Sequence, residues 1–284
     1  MKVGIVGDAE RAVAWEQHLR PHRIVHEVDL SPNIQAVGKV DACFLIDDTA
    51  ENLTKLMEGI QLGLNCFLIS KPPEDKHMLE KIHRATKEAG VYVQLSHWPT
   101  LAPATQWMMN RVNRPAAITI IREVNYSQFS NLENEFKQLW MDELGLCLKW
   151  VDSGIHHLEA KEINLGNKQP LLIHLFLRFD NGTSADIQIY AGGGENRHQR
   201  IIATKQEVLE CDVPSQNIRV GRLNSGDRLY FEKKKFDPAT SAEKASLIFL
   251  KSIQMNKEPA YTSYDAYQLA VQVERIEQRL KQFS

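Results

Sequence analysis

Apolar and polar positions in the first 112 residues fall into short runs rather than long stripes. Val3–Val6, Ile24–Val28, Ala42–Ile46, Cys66–Ile69 and Val91–Leu95 are short, mostly apolar and rich in β-branched residues. Runs of this kind suit parallel strands buried on both faces. Between them Glu51–Leu62 and Glu74–Ala89 read as amphipathic helices. In the second, Met78, Leu79, Ile82 and Ala85 recur at helical spacing, and Gly90 is a stop signal. The opening stretch Lys2–Leu19 reads as strand, tight turn and helix. This alternation predicts right-handed βαβ units and a doubly wound, Rossmann-like parallel sheet.

Beyond Asn113 the pattern changes. Ala117–Val124 predicts a strand, and Glu135–Glu159 a helix interrupted at Gly145 and Gly154. Two alternating runs then flank Asn181-Gly182, the signature of a hairpin. Arg200–Thr204 and Glu207–Cys211 read as further strands. Ala242–Asn256 and Tyr264–Lys281 read as helices, the last with Ala266, Leu269, Val273, Ile276 and Leu280 on one stripe. The expectation is an α+β unit with an open, mostly antiparallel sheet. Asn113-Arg114-Pro115 is the expected junction, giving domains 1–112 and 113–284.

Composition narrows the function classes. The 284 residues are 43% hydrophobic and 25% charged, with a formal net charge of −2, so nothing points to nucleic acid or an anionic membrane as partner. No apolar run approaches the roughly 20 residues that span a bilayer, and the N-terminus enters a strand with no signal-peptide pattern. Cys43, Cys66, Cys147 and Cys211 are widely spaced, with no C-x-x-C pair, and read as reduced, buried thiols of a cytoplasmic protein.

The first turn carries the earliest chemical signal. A dinucleotide fold uses G-x-G-x-x-G/A there, and here the register is Gly7-Asp8-Ala9-Glu10-Arg11-Ala12. The first glycine is kept. Ala9 places a methyl group where close approach to a pyrophosphate is needed. Asp8 and Glu10 oppose an anion at the helix terminus, and Arg11 offsets one of them. Asp29 follows at the offset expected of the carboxylate that meets the ribose hydroxyls. The turn either binds a dinucleotide or keeps the shape without the ligand.

Two later stretches carry the rest. Lys71 emerges from a buried strand, fixed by Pro72 and Pro73, where open α/β sheets place their ligands; the alternative is a solvated lysine. In WVDSGIHHLEAKEINLG, Asp152 and His156 stand four apart, which on a helix puts both on one face. A carboxylate beside an imidazole suits acid/base work on a hydroxyl. The alternatives are a surface pair or a His156/Glu159 metal half-site, and no further metal ligands lie nearby. Gly192-Gly193-Gly194 with Glu195, Arg197, His198 and Arg200 reads as a strand-ending loop rather than a phosphate cradle. Lys233-Lys234-Lys235 reads as a solvated loop, and Tyr261 and Tyr264 as core or interface.

Together these stretches resemble the glucose–fructose oxidoreductase / inositol dehydrogenase (Gfo/Idh/MocA) family. Ser70-Lys71-Pro72 stands for that family's Glu-Lys-Pro, and Asp152-Ser153-Gly154-Ile155-His156-His157-Leu158-Glu159 for its Asp-x-Gly-x-His-x-x-Asp. Trp140, the FDNGTSADIQIYAGGGE hairpin and the closing FLKSIQMNKEPAYTSYDAYQLAVQVERI are also similar to it. The resemblance implies NAD- or NADP-dependent hydride transfer at a secondary alcohol of a sugar, inositol or related polyol. It implies a site between the two domains. The open face of the second sheet, a liability if left exposed, is expected to be covered by another copy of the chain in a homodimer or homotetramer. Lys71, Asp152 and His156 would be the catalytic residues. Gly7, Ala9, Arg11, Asp29, Asp47 and Lys71 would meet the cofactor, and His97, Trp98 and His157 would line the substrate pocket. No metal is implied.

The pattern departs from the family mainly on the cofactor side. The glycines are degenerate, Ser70 replaces a glutamate, and Asp47-Asp48 replaces a Thr-Pro turn. Leu146-Cys147-Leu148 replaces the glycines usual before the second motif. The segment from Asp29 to Ala42 is too short for the usual helix and third strand, and the loop from Leu165 to Pro170 suggests one strand fewer in the second sheet. The competing expectation is therefore a catalytically silent relative that binds a sugar-like ligand or a protein partner.

Overall fold

The computed structural model describes residues 1–125, 127, 132–165, 169–192, 194, 196–223 and 228–283. In chain order its elements are β1 (Lys2–Gly7), α1 (Ala9–Leu19), β2 (Glu27–Ser31), β3 (Ala42–Ile46), α2 (Asn52–Gln61), β4 (Cys66–Ile69), α3 (Lys76–Ala89), β5 (Val93–Leu95), α4 (Trp98–Leu101), α5 (Pro103–Arg111), β6 (Ala117–Asn125), α6 (Leu132–Val151), β7 (Ile155–Leu165), β8 (Gln169–Phe179), β9 (Ser184–Gly192), β10 (Arg197–Ala203), β11 (Glu207–Asp212), β12 (Asn217–Leu223), β13 (Leu229–Lys235), α7 (Ser241–Gln254) and α8 (Ser263–Phe283).

The chain forms two compact units. One comprises Met1–Leu101 with Ala239–Val271, the other Ala102–Pro238 with Gln272–Ser284. The expected junction at Asn113-Arg114-Pro115 falls inside the second of these, between α5 and β6.

The first unit is the doubly wound sheet the apolar runs predict. Its order is β2-β1-β3-β4-β5, with every neighbouring pair parallel. All residues of β3 and β4 are buried, which is why those segments are continuously apolar. One face packs Cys43, Leu45 and Leu68 against α2, α3 and the first turns of α8. The other packs Phe44 and Phe67 against α1 and α7, where Phe249 meets both rings. Between Ser31 and Ala42 the chain makes only a 3-10 turn at Ile34–Ala36, capped by Asn33, so the third strand of a full dinucleotide fold is missing as expected. Ile34 takes up the covering role and joins the α2 side of the core.

One strand lies later than its apolar pattern implied. Ile24 and Val25 pack onto the core from the turn that precedes β2, so pairing begins only at Glu27, opposite Lys2. All four cysteines are buried and free, and Cys43 and Cys66 are register partners on β3 and β4. A sulfur contact with Cys43, together with burial, holds the Cys66 thiol well above its ordinary pKa.

The second unit is an eight-stranded sheet of order β13-β12-β11-β10-β6-β9-β8-β7, antiparallel except for the parallel β6–β9 pair. The hairpin at Asn181-Gly182 forms as expected. Gly182 has φ +86° and its amide donates to the Phe179 carbonyl at 3.0 Å. Alternate residues of β8 and β9, among them Ile173, Leu175, Ile187 and Ile189, face α6 and are buried.

Three expectations fail in this unit. Gly145 does not interrupt α6, which runs unbroken from Leu132 to Val151. The predicted helix also stops short of Glu159, because the chain turns at Asp152 (φ +46°) and enters β7, where Ile155 pairs with Phe179. Lys233-Lys234-Lys235 is part of β13 rather than a loop. Exposed lysines on a strand at the sheet's end discourage further pairing there. Residues 166–168 of the Leu165–Pro170 loop, and Gly193 and Glu195 of the glycine cluster, lie outside the described residues.

Candidate functional site

The carboxyl ends of β1, β3, β4 and β5 gather most of the first unit's expected site residues. Gly7 is a packing requirement: a Cβ there would stand 2.8 Å from the Ile46 carbonyl oxygen on the neighbouring strand. Asp8 follows as the N-cap of α1. Its Oδ1 accepts from the amides of Glu10 at 3.1 Å and Arg11 at 3.2 Å, two of the donors a helix start leaves open. Ala9 begins the helix and is exposed. The Arg11 guanidinium reaches Asp48 Oδ2 at 2.9 Å, while Asp48 Oδ1 accepts from the Lys71 amide at 3.0 Å.

Asp47 turns away from this group. It accepts from the Thr49 amide at 2.7 Å and from Lys55 Nζ at 2.5 Å. Burial works to raise its pKa, but Lys55 and Thr49 outweigh burial and hold the carboxyl below its ordinary value.

Lys71 leaves β4 in a turn tied to β5, where the Ser70 amide donates to Ser96 Oγ and Ser96 Oγ donates to the Ser70 carbonyl. Lys71, Pro72, His97 and Tyr261 bound a recess here. His97 is buried, stacked on Tyr261 at 4.2 Å, with Nδ1 2.7 Å from Thr100 Oγ1. Two expected residues lie elsewhere. Trp98 stacks on Trp15 of α1 and does not bound the recess. Asp29 is not at the end of its strand: it is register partner of Gly4, three residues before Gly7. At strand rise that is about 10 Å short of the turn.

In the second unit the Asp152–Glu159 motif spans a helix-to-strand turn, so the helical face expected to carry Asp152 and His156 does not form. His156 is the extra residue at a bulge between Ile155 and His157. Its Nδ1 lies 3.7 Å from Asp180 Oδ1, so the carboxylate beside the imidazole is Asp180, and both side chains are exposed. His157 Nε2 lies 2.8 Å from Glu159 Oε1, also at the surface.

The second unit also holds a charged group that the sequence analysis missed. Glu143 on α6 is fully buried and is gripped by Arg200 of β10, Nε to Oε2 at 2.9 Å and Nη2 to Oε1 at 2.8 Å. His198 Nε2 stands 3.0 Å from the same carboxylate, and Arg122 of β6 stands 3.8 Å from it. Burial works to raise the Glu143 pKa, but Arg200 and His198 reverse it and hold the carboxyl well below its usual range. Burial pushes the His198 imidazole down, and burial with the neighbouring Glu143 charge pushes Asp142 up to about 6. A signal existed: Glu143 recurs with Trp140, Cys147 and Trp150 on one apolar helical stripe, where a carboxylate needs a buried partner. Perturbed groups clustered in this way are candidates for chemistry as well as for structure.

Does the first turn fit a dinucleotide? Its donors are the Glu10 and Arg11 amides, the Arg11 guanidinium and the Lys71 ammonium. The two amides and the Arg11 guanidinium already bind anions, because the Asp8 and Asp48 carboxylates stand where a diphosphate's oxygens would draw on the same helix start. The donor set therefore fits a diphosphate, in competition with the chain's own carboxylates.

Neither a protein-family model nor a curated protein matches this sequence. Solved structures do match the fold over its full length. UDP-N-acetylglucosamine 3-dehydrogenase from Acidithiobacillus ferrooxidans has a TM-score of 0.81 at 14% identity, covering 100% of this chain and 98% of that one. An NAD binding oxidoreductase from Klebsiella pneumoniae has a TM-score of 0.80 at 13% identity, covering 100% and 97%. A levoglucosan dehydrogenase in complex with NADH and L-sorbose has a TM-score of 0.76 at 12% identity, covering 100% and 97%. The fold is thus that of NAD-binding dehydrogenases, a parallel-sheet unit followed by a mostly antiparallel one.

Proposed function

We propose that this chain is an NAD- or NADP-dependent oxidoreductase that transfers hydride to or from a secondary alcohol of a sugar, inositol or related polyol. The observation that carries the reading is Lys71, at the carboxyl end of β4. It borders the His97 recess, and its backbone is tied through Asp48 to the turn that begins α1. The dehydrogenase fold supports it.

When bound, the dinucleotide supplies the hydride acceptor or donor. The Glu10 and Arg11 amides and the Arg11 guanidinium are the groups that would hold its diphosphate. The Lys71 ammonium would meet the oxygen of the reacting alcohol and stabilise negative charge developing there. Removing such a donor costs on the order of a hundredfold or more in rate. His156 would take the hydroxyl proton, with Asp180 as the carboxylate beside it and Asp152 as a substrate contact. Self-association through the eight-stranded sheet belongs to the same reading, and light scattering would measure it.

A second reading is favoured by one observation: the helix-start amides are already occupied by Asp8. Under it the chain binds a sugar-like ligand or a protein partner without turnover. Equilibrium dialysis with NAD(H) and NADP(H), followed by a screen of polyols for dinucleotide reduction, separates the two. Saturable binding and a turnover lost in Lys71→Ala support the oxidoreductase. Polyol binding with no dinucleotide uptake at millimolar concentration sinks it.

A further inference from the structure

We infer that Asp8 and Asp48 form an internal latch on the diphosphate seat of the first unit, so that a dinucleotide binds only by displacing them. The inference takes its ligand from the oxidoreductase reading. The geometry of the latch stands apart from that reading.

Each carboxylate covers a different part of the seat. Asp8 Oδ1 takes two amides at the start of α1, at 3.1 and 3.2 Å. Asp48 takes the side chain of Arg11 at 2.9 Å and the backbone of Lys71 at 3.0 Å. An incoming anion meets donors already engaged and two negative charges that must move away. Asp47 is not part of the latch, because Thr49 and Lys55 satisfy both of its oxygens on the α2 side. Glu10 adds like charge at the exposed start of the helix. The Arg11–Asp48 pair is half exposed on both sides, so opening it requires only side-chain rotation and rehydration.

Asp8 also caps α1, so the test uses variants that separate charge from capping. Asp8→Asn keeps an oxygen for the Glu10 and Arg11 amides and removes the charge. Asp8→Gly leaves both amides open, and glycine is tolerated at an N-cap. Asp48→Asn frees Arg11 without touching the cap. Binding of NADH and NADPH to the full chain is measured by equilibrium dialysis, with inorganic pyrophosphate as competitor and melting temperature as the check on folding.

The latch predicts at least tenfold tighter dinucleotide binding in Asp8→Gly and in the Asp8→Asn, Asp48→Asn double variant, with pyrophosphate competing. Folded variants that bind no tighter than the unaltered chain overturn it, and so does an absence of binding in every protein at millimolar dinucleotide. Should Asp8→Gly not fold, the double variant and Asp48→Asn decide, with about fivefold tightening expected in Asp48→Asn and no change in either overturning the proposal. The unaltered chain's own binding tests the oxidoreductase reading separately. Binding there with no gain in the variants removes the latch alone. Binding only in the variants upholds the latch and removes the reading.

Discussion

The Arg200 guanidinium holds the Glu143 carboxylate in a two-pronged pair, at 2.9 and 2.8 Å, with both side chains withdrawn from solvent. The third guanidinium nitrogen donates to Thr105 Oγ1 at 2.9 Å, so the arginine is satisfied on more than one side. Removing one member of such a pair leaves an uncompensated buried charge, which costs about 3–5 kcal/mol. Glu143→Gln should therefore lower the urea-unfolding free energy by about that amount. Replacing both members by Leu and Met should cost less than either single change. A loss below about 1 kcal/mol in Glu143→Gln would show that the pair does not hold α6 to the sheet.

Asp142, the neighbouring residue, gives a pH signature of opposite sign to an ordinary carboxylate. Its pKa in the folded chain is raised to about 6, from an ordinary value near 3.8, by burial and by Glu143. The folded state thus holds more protons than the unfolded state between about pH 4 and 6. Stability from this group is present below pH 4 and is lost as pH rises through 6. Asp142→Asn keeps an acceptor for the Gln138 amide, which donates to Asp142 Oδ1 at 2.8 Å. It should raise stability at pH 7.5 by on the order of 1–3 kcal/mol and leave it nearly unchanged at pH 4. Equal effects at both pH values would refute the assignment.

Gly7 makes a prediction about packing rather than chemistry. Gly7→Ala drives a methyl group against the Ile46 carbonyl, and backbone on a central strand has little room to give. The expected loss is about 1–3 kcal/mol, as for other overpacked sites. Thermal unfolding would read it, and a variant as stable as the unaltered chain would show that β1 and β3 can separate there.

His156 should divide stability from function. It and Asp180 are 70% and 62% exposed, and pairs of that kind contribute between 0 and about 1 kcal/mol. His156→Ala should leave the melting temperature within a degree or two. Under the oxidoreductase reading it should cut polyol turnover by a hundredfold or more. Full turnover in this variant would remove His156 from the proposed chemistry, and a large stability loss would mark it as structural.

The parallel sheet was legible because its central strands are buried on both faces, and two-sided burial writes itself as a continuous apolar run. Ala42–Ile46 and Cys66–Ile69 lie where those runs place them. Strand β2 was misplaced by three residues because apolar side chains also fill the core from turns, as Ile24 and Val25 do. In the second unit the helical spacing of Asp152 and His156 was a coincidence of counting across a chain reversal. Four residues along a helix and four around a turn count alike, and Gly154 between the two was the local sign of the break.

The sequence by itself determined the two sheet types, the hairpin at Asn181-Gly182, the missing third strand and the emergence of Lys71 from a buried strand. Those follow from periodicity, turn chemistry and segment length, which are local properties of the chain. Tertiary structure alone decided which charges meet. Arg11 with Asp48, His156 with Asp180 and Glu143 with Arg200 are separated by 37, 24 and 57 residues in sequence. Electrostatic pairing acts through space over a few ångströms and leaves no period in the sequence, so the chain must fold before its carboxylates acquire partners.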